Sequence, residues 1–224
     1  MSGTSSPPTA HGRHPRPRTR RPRVAAVALA LAGVLAATAP TARADAPGTA
    51  GPSRCAGHGV DPRALVRHES DIVIKAPQRT VWKLQTDVED WPSWQPPVTS
   101  VERLDTGPLR KGSRFRWTTP APATPTTPAT TLEITSTVRQ LRAHDCILWK
   151  GPAIGAGLRI DEGVHLWTFR KVQGGVRVHT EETWTGDQVE ADVPTATEAL
   201  GRGLDTWLRD LKATAEARSG GRPQ

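Results

Sequence analysis

The sequence predicts an α+β fold in which a curved antiparallel sheet wraps one long C-terminal helix. Three observations carry this expectation. Apolar and polar residues alternate in short runs through the middle of the chain. Leu132, Ile134, Ser136 and Val138, set against Glu133, Thr135, Thr137 and Arg139, give a strand one largely apolar face. Two further runs, 164–171 and 176–184, meet at Gln173-Gly174-Gly175, where glycine takes a positive φ at little cost and closes a hairpin. The last stretch changes period. Leu200, Leu204, Trp207, Leu208, Leu211 and Ala215 recur at three and four, an amphipathic helix of about twenty residues starting just inside Pro194. Arg202, Asp205, Arg209 and Asp210 lie on its other face. Strands with one apolar face must bury it, and this helix is the only element long enough to cover it. A curved sheet and a helix do not meet flush along their length, so the gap is either filled by large side chains or left as a pocket.

The chain has 224 residues and a formal charge of +8, which alone would suggest nucleic acid or an anionic surface as partner. The location of the charge removes that reading. Residues 1–44 hold seven arginines and no acid, so the remainder carries only +1 (8 − 7). These residues have the layout of a cleaved signal peptide: an arginine-rich start, an apolar stretch from Val24 to Ala39, and small residues at Ala42-Arg43-Ala44, with cleavage expected after Ala44. The apolar stretch is shorter than the roughly 20 residues a membrane-spanning helix needs, so the mature chain is expected to have no stable transmembrane anchor. Thr19-Arg20-Arg21-Pro22-Arg23 is compatible with a twin-arginine route, and general secretion is the alternative. A secreted or cell-surface protein follows from either. Export permits disulfides, and Cys55 and Cys146 allow one pairing; the alternative is two unpaired thiols, with Cys146 a small buried residue. Two cysteines cannot build a structural zinc site unaided and no histidine pair has metal-ligand spacing, so no metal and no cofactor is expected.

The elements follow in order. Residues 45–66, rich in Gly, Ala, Pro and Asp, read as a flexible N-terminal extension before a single domain at 67–217, with a disordered tail at 218–224. Residues 68–75 form the first strand, closed by Ala76-Pro77. A short helix opens at Pro77, with Val81, Leu84 and Val88 on one face and Trp82 beside it. Strands follow at 98–104 and 113–117, Phe115 and Trp117 facing one way and Arg114 and Arg116 the other. Four prolines within residues 120–130 remove donors, so this stretch reads as an elongated or disordered hairpin connection. Strands resume at 132–139 and 146–150. The glycine-rich run 151–157 follows no βα unit, which argues against phosphate binding. No nucleophile elbow, zinc-protease helix, Walker loop or dinucleotide fingerprint occurs.

Particular residues in this order resemble the START-like, Bet v 1-like (SRPBCC) superfamily with its helix-grip fold, especially the bacterial polyketide cyclase/dehydrase and lipid-transport group. They are Ile72-x-Ile74-x-Ala76-Pro77 with Val81-Trp82; Thr86-Asp87-Val88-Glu89-Asp90-Trp91-Pro92-x-Trp94; and Gly112-Ser113-x-Phe115-x-Trp117. Further along come Trp149-x-Gly151, His165-x-Trp167-x-Phe169, Gly174-Gly175 with Val178, Thr180 and Glu182, and a closing run from Leu204 through Trp207-Leu208 to Leu211-Lys212 and Ala215-Glu216. The resemblance spans about residues 68–217. It implies seven strands in one antiparallel sheet, two short helices after the first strand, and a long C-terminal helix closing an internal cavity. The Pro/Thr/Ala loop and the export signal depart from the usual members.

Eight tryptophans against two phenylalanines and no tyrosine make indole the main large ring here. The resemblance puts Trp91 and Trp94 near the cavity mouth, stiffened by Pro92, Pro96 and Pro97; they form either an aromatic lip over a ligand or pins holding the short helices to the sheet. Trp117, Trp149, Trp167 and Trp207 either fill the interior or line a void, and their N–H groups need partners. Ser136, His165, Thr180 and Glu182 are the expected partners, or the convergent polar groups that orient a ligand. Glu182 shares parity with Val176, Val178 and Thr180 and is expected to face inward, whereas Arg116, on the face opposite Phe115, is poorly placed to pair with it. His165 alternates with Trp167 and Phe169, so it could serve as a base for a cyclase-type enzyme, with Glu182 or Thr180 beside it. The leading expectation is a secreted binder of a small apolar molecule, lipid or polyketide-like, as monomer or homodimer without nucleic acid. A cyclase/dehydrase-type enzyme and an interaction module without interior ligand are the alternatives.

Overall fold

One antiparallel sheet of seven strands carries the fold of the computed structural model, which describes residues 53–124 and 127–220. The expected signal peptide at 1–44, residues 45–52 of the extension and residues 221–224 of the tail lie outside the described residues. The strands are β1 (Val66–Ile74), β2 (Ser100–Arg103), β3 (Arg114–Ala121), β4 (Thr130–Arg142), β5 (Cys146–Gly155), β6 (Leu158–Val172) and β7 (Gly175–Thr185). Helix α1 (Gln78–Thr86) and a 3-10 helix (Val88–Ser93) follow β1, and α2 (Asp187–Glu190) and α3 (Val193–Gly220) follow β7. The spatial order is β1-β7-β6-β5-β4-β3-β2. After β1 the chain crosses to the far edge by way of α1 and the 3-10 helix, and consecutive hairpins then walk back until β7 pairs with β1.

Strand parity sorts the apolar residues onto two faces. Ile147, Trp149, Trp167 and Phe169 point to the concave face, where they join Leu208, Leu211 and Ala215 of α3 and Val81, Trp82 and Leu84 of α1. A second concave cluster gathers Leu200 and Leu204 from the first half of α3 against Val66, Leu132, Ile134 and Ile160. The intervening residues Cys146, Leu148 and Leu166 face the convex side. There Cys55 and Val60 cover them, and Cys55 is disulfide-bonded to Cys146 across 91 residues. Residues 53–65, expected as flexible lead-in, hold no strand or helix but are pinned to the sheet by this bond, and paired backbone bonds between Cys55 and His58 close a local turn beside it.

Several boundaries differ from expectation for identifiable reasons. β3 runs through Pro120 to Ala121, with Pro120 opposite Thr131 on β4. β2 stops pairing at Thr118, so Pro120 sits where β3 is an edge and a missing N–H costs no ladder bond. The connection is therefore shorter than 120–130. The glycine-rich run does not interrupt β5, which continues to Gly155 over a bulge between Gly151 and Ala153 that takes up Pro152. α3 extends to Gly220, so residues 218–220 of the expected tail are helical; Arg218 reaches Asp90 at 3.4 Å and Ser219 Oγ donates to Ala215 O at 2.8 Å. Lys212 Nζ donates to Val73 O and the Lys75 N–H to Glu216, each at 2.7 Å, tying this end of α3 to the β1 edge.

Candidate functional site

The space between sheet and α3 is divided by rings. At one end Trp91 is fully buried, with ring centroids of Trp207 at 4.9 Å, Phe115 at 5.5 Å, and Trp117 and Trp149 each at 5.8 Å, mostly edge-to-face. The other end is a cavity of about 500 Å³. Trp117, Trp149 and Trp207 form the boundary, packing against Trp91 behind and lining the cavity in front. Its apolar walls come from Leu132, Ile134, Ala153 and Ile160 on the strands and Leu200 and Leu204 on α3. Pro120 to Thr124, with Thr127, form part of the rim.

Of the residues singled out from sequence, Trp117, Ser136, Trp149, His165, Glu182 and Trp207 line this cavity. Trp91, Trp94, Trp167 and Thr180 do not. Trp91 gives its N–H to Gln85 O at 3.2 Å, so it secures the 3-10 helix to α1 and forms no lip; Trp94 packs 6.4 Å from Trp207. Trp167 packs against His165 at 4.9 Å and Trp149 at 6.5 Å, and its Nε1, like that of Trp94, is buried without a partner. Arg116 lies 4.0 Å from the exposed Glu133 and plays no part with Glu182.

The polar wall is built by cross-strand pairing. His165 on β6 is opposite Glu182 on β7, which puts both side chains on the concave face as neighbours. His165 Nδ1 lies 3.0 Å from Glu182 Oε2, and Nε2 lies 2.7 Å from Thr180 Oγ1, which in turn reaches Leu166 O at 3.3 Å. Glu182 Oε1 accepts the Trp184 N–H at 2.8 Å. Ser136 Oγ accepts the Trp117 N–H at 3.1 Å. Both imidazole nitrogens are therefore engaged, whereas each carboxylate oxygen of Glu182 has one protein donor and spare lone pairs. As placed, the wall presents a carboxylate acceptor to the cavity, and His165 acts as its buttress.

Two glutamines escaped the sequence reading. Gln85, fully buried, accepts the Trp207 N–H on Oε1 at 3.0 Å. Gln95 is 1% exposed, lines the cavity and has Oε1 buried without a partner. Neither stands in a motif, and lying beside Trp94 and Pro96 gave Gln95 no distinguishing signal. Trp184 and the Pro120–Thr124 rim were also missed as cavity residues. On the outer sheet face, Glu69, His179 and Glu181 come within 4.8 Å of one another, but the Arg67 guanidinium already sits 2.5 Å from Glu181 and 3.0 Å from Glu69.

A seven-stranded sheet gripping a long C-terminal helix over an apolar cavity defines a helix-grip domain of the START-like, Bet v 1-like class. Within it, residues 66–216 match the family described as polyketide cyclase / dehydrase and lipid transport, and the chain belongs to that family. Among solved structures, the protein TTHA0849 of Thermus thermophilus superposes with a TM-score of 0.53 at 18% identity over 68% of this chain and 99% of that one. CV1439 of Chromobacterium violaceum gives 0.51 at 16% identity over 67% and 97%. The di-domain ARO/CYC StfQ of the steffimycin biosynthetic pathway gives 0.52 at 19%, over 69% of this chain and 52% of its own length. At these identities the likeness is one of fold. No curated protein matches the chain.

Proposed function

We propose that the protein is exported and that it binds a small, mainly apolar molecule, lipid or polyketide-like, in the cavity between the sheet and the first half of α3. The observation that carries this reading is the cavity itself: about 500 Å³, within the ~300–1,000 Å³ typical of ligand pockets, with largely apolar walls and a few polar groups, among them the His165–Glu182 pair. Family membership supports it. The Cys55–Cys146 bond supports export by a general secretory or twin-arginine signal, because such bonds persist in oxidising compartments. Among the described residues no helix is long and apolar enough to cross a membrane.

Trp117, Trp149 and Trp207 stand in the wall, so occupancy should change indole emission. Native mass spectrometry of protein from its natural host should show an extra mass that solvent extraction removes. No extra mass, together with unchanged emission across a panel of lipids and aromatic polyketides, would overturn the proposal.

The second reading, a cyclase/dehydrase-type enzyme, is favoured by the imidazole–carboxylate pair at the cavity wall. For His165 to act as base it must first give up its bond to Thr180 or Glu182, so Glu182 is the better-placed proton acceptor. Turnover of a poly-β-ketone mimic that survives in Glu182→Gln would exclude that role.

A further inference from the structure

Resting on the reading that the cavity holds a small molecule, we infer that the buried end of the ligand is a hydrogen-bond donor, a hydroxyl or an amine, received by Glu182, and that carboxylate-ended molecules are refused. The Glu182 side chain is 16% exposed, faces the cavity, and is held from behind by His165 and Trp184. Two of the roughly four acceptor positions of a carboxylate are thereby used and the others are open to the ligand. Gln95 also lines the cavity, but its amide carries donors as well as an acceptor and so favours neither kind of ligand end.

The indole and imidazole donors on the wall are committed except at Trp149, while the Ser136 hydroxyl, which accepts from Trp117, keeps its own proton. Trp117 gives its N–H to Ser136, Trp184 to Glu182 and Trp207 to Gln85, and His165 has both nitrogens engaged. Among these rings only Trp149 keeps an N–H unbonded, so the rings offer a ligand few donors. The charges agree. Glu182 and Asp192 line the cavity, Asp192 accepting the Thr195 N–H at 3.2 Å. Arg202 is the one Lys or Arg on the wall among the described residues, and it is exposed and paired with Glu198. An incoming carboxylate would be desolvated beside a like charge with no free cation to meet it, whereas a donor finds a preformed acceptor.

The test uses two matched sets of probes at neutral pH: decan-1-ol, decylamine, decanoic acid and methyl decanoate, and naphthalen-2-ol with 2-naphthoic acid. Affinities for the full chain are read by indole emission and native mass spectrometry. Donor-ended members should bind about tenfold or more tightly than the acid and the ester of the same skeleton. In Glu182→Gln, which keeps the shape and removes the charge, that gap should shrink to about threefold. Acids that bind as well as the alcohols, or a gap unchanged in Glu182→Gln, would overturn the inference. The wild-type ranking needs no variant, so it decides even if Glu182→Gln misfolds. If no probe of either set binds, the binding reading falls and this inference with it; binding with the wrong ranking removes the inference alone.

Discussion

Trp91 shows why a large ring cannot be assigned to core or site from its neighbours in sequence. With Trp94 and three nearby prolines it looks like part of a presented lip, yet it is fully buried and touches four other rings. Its N–H is spent on a backbone carbonyl, and three of the rings it supports, Trp117, Trp149 and Trp207, face the cavity. Trp91→Ala is therefore expected to lower the unfolding free energy by about 3–5 kcal/mol, measured by urea denaturation, and to loosen the cavity only indirectly. Asp210 poses the opposite problem. It lies on α3 with Oδ2 buried and unbonded, and desolvation holds its carboxyl above the usual carboxylate range, with Arg209 only partly offsetting this. A carboxyl that titrates higher in the folded than in the unfolded chain destabilises the fold once ionised. The penalty is complete above the raised value and fades as pH falls to the ordinary carboxylate range of about 3.9. Asp210→Asn should thus raise the denaturation midpoint near neutral pH and lose that advantage in acid; an advantage that stays constant across this range would refute the assignment.

At the scale of elements, the strands are held to one another by features with very different tolerance. A Cβ on Gly151 would lie 1.8 Å from the Thr135 carbonyl oxygen, so β4 and β5 can approach as closely as they do here only because this residue has none. Gly151→Ala is expected to cost about 2–3 kcal/mol of stability and, since Gly151 is on the cavity wall, to weaken ligand binding as well. The Cys55–Cys146 bond acts elsewhere, tying the lead-in over the convex cluster. With its ends 91 positions apart in sequence, replacing both cysteines by alanine should remove roughly 2–5 kcal/mol in reversible unfolding while ligand affinity holds, because the bond is on the far face of the sheet. These elements also mark what sequence reveals. α3 was legible because the period of Leu200, Leu204, Leu208 and Leu211 is a local property of the helix that carries it. The hairpin at Gly174-Gly175 and the inward parity of His165 and Glu182 were legible for the same reason. The continuation of β3 through Pro120 was not, since it depends on where β2 stops pairing, a fact of the neighbouring strand.

For the molecule as a whole, the decisive question was whether indole would fill the space under the sheet or leave part of it open. The answer is both, at opposite ends, and it follows from how α3 divides. Its second half presents Leu208, Leu211 and Ala215 to α1 and the ring cluster, while its first half presents Leu200 and Leu204 with the smaller Ala196, Ala199 and Gly203. Small side chains on this half of the helix leave the cavity unfilled. No single segment encodes this, because it depends on which helix turn faces which strand, and so the sequence could name Trp117, Trp149 and Trp207 but not say that they form a partition. The arrangement makes a direct test possible. Ala199→Trp puts a ring into the cavity from a helix position where tryptophan costs well under about 1 kcal/mol in propensity. The protein should keep its cooperative unfolding and near-native stability while affinity for any interior ligand falls by about tenfold or more. Trp91→Phe, which alters the filled end, should leave affinity within about threefold. Undiminished binding in Ala199→Trp, measured on protein with an unchanged unfolding midpoint, would place the ligand somewhere other than the space between the sheet and the first half of α3.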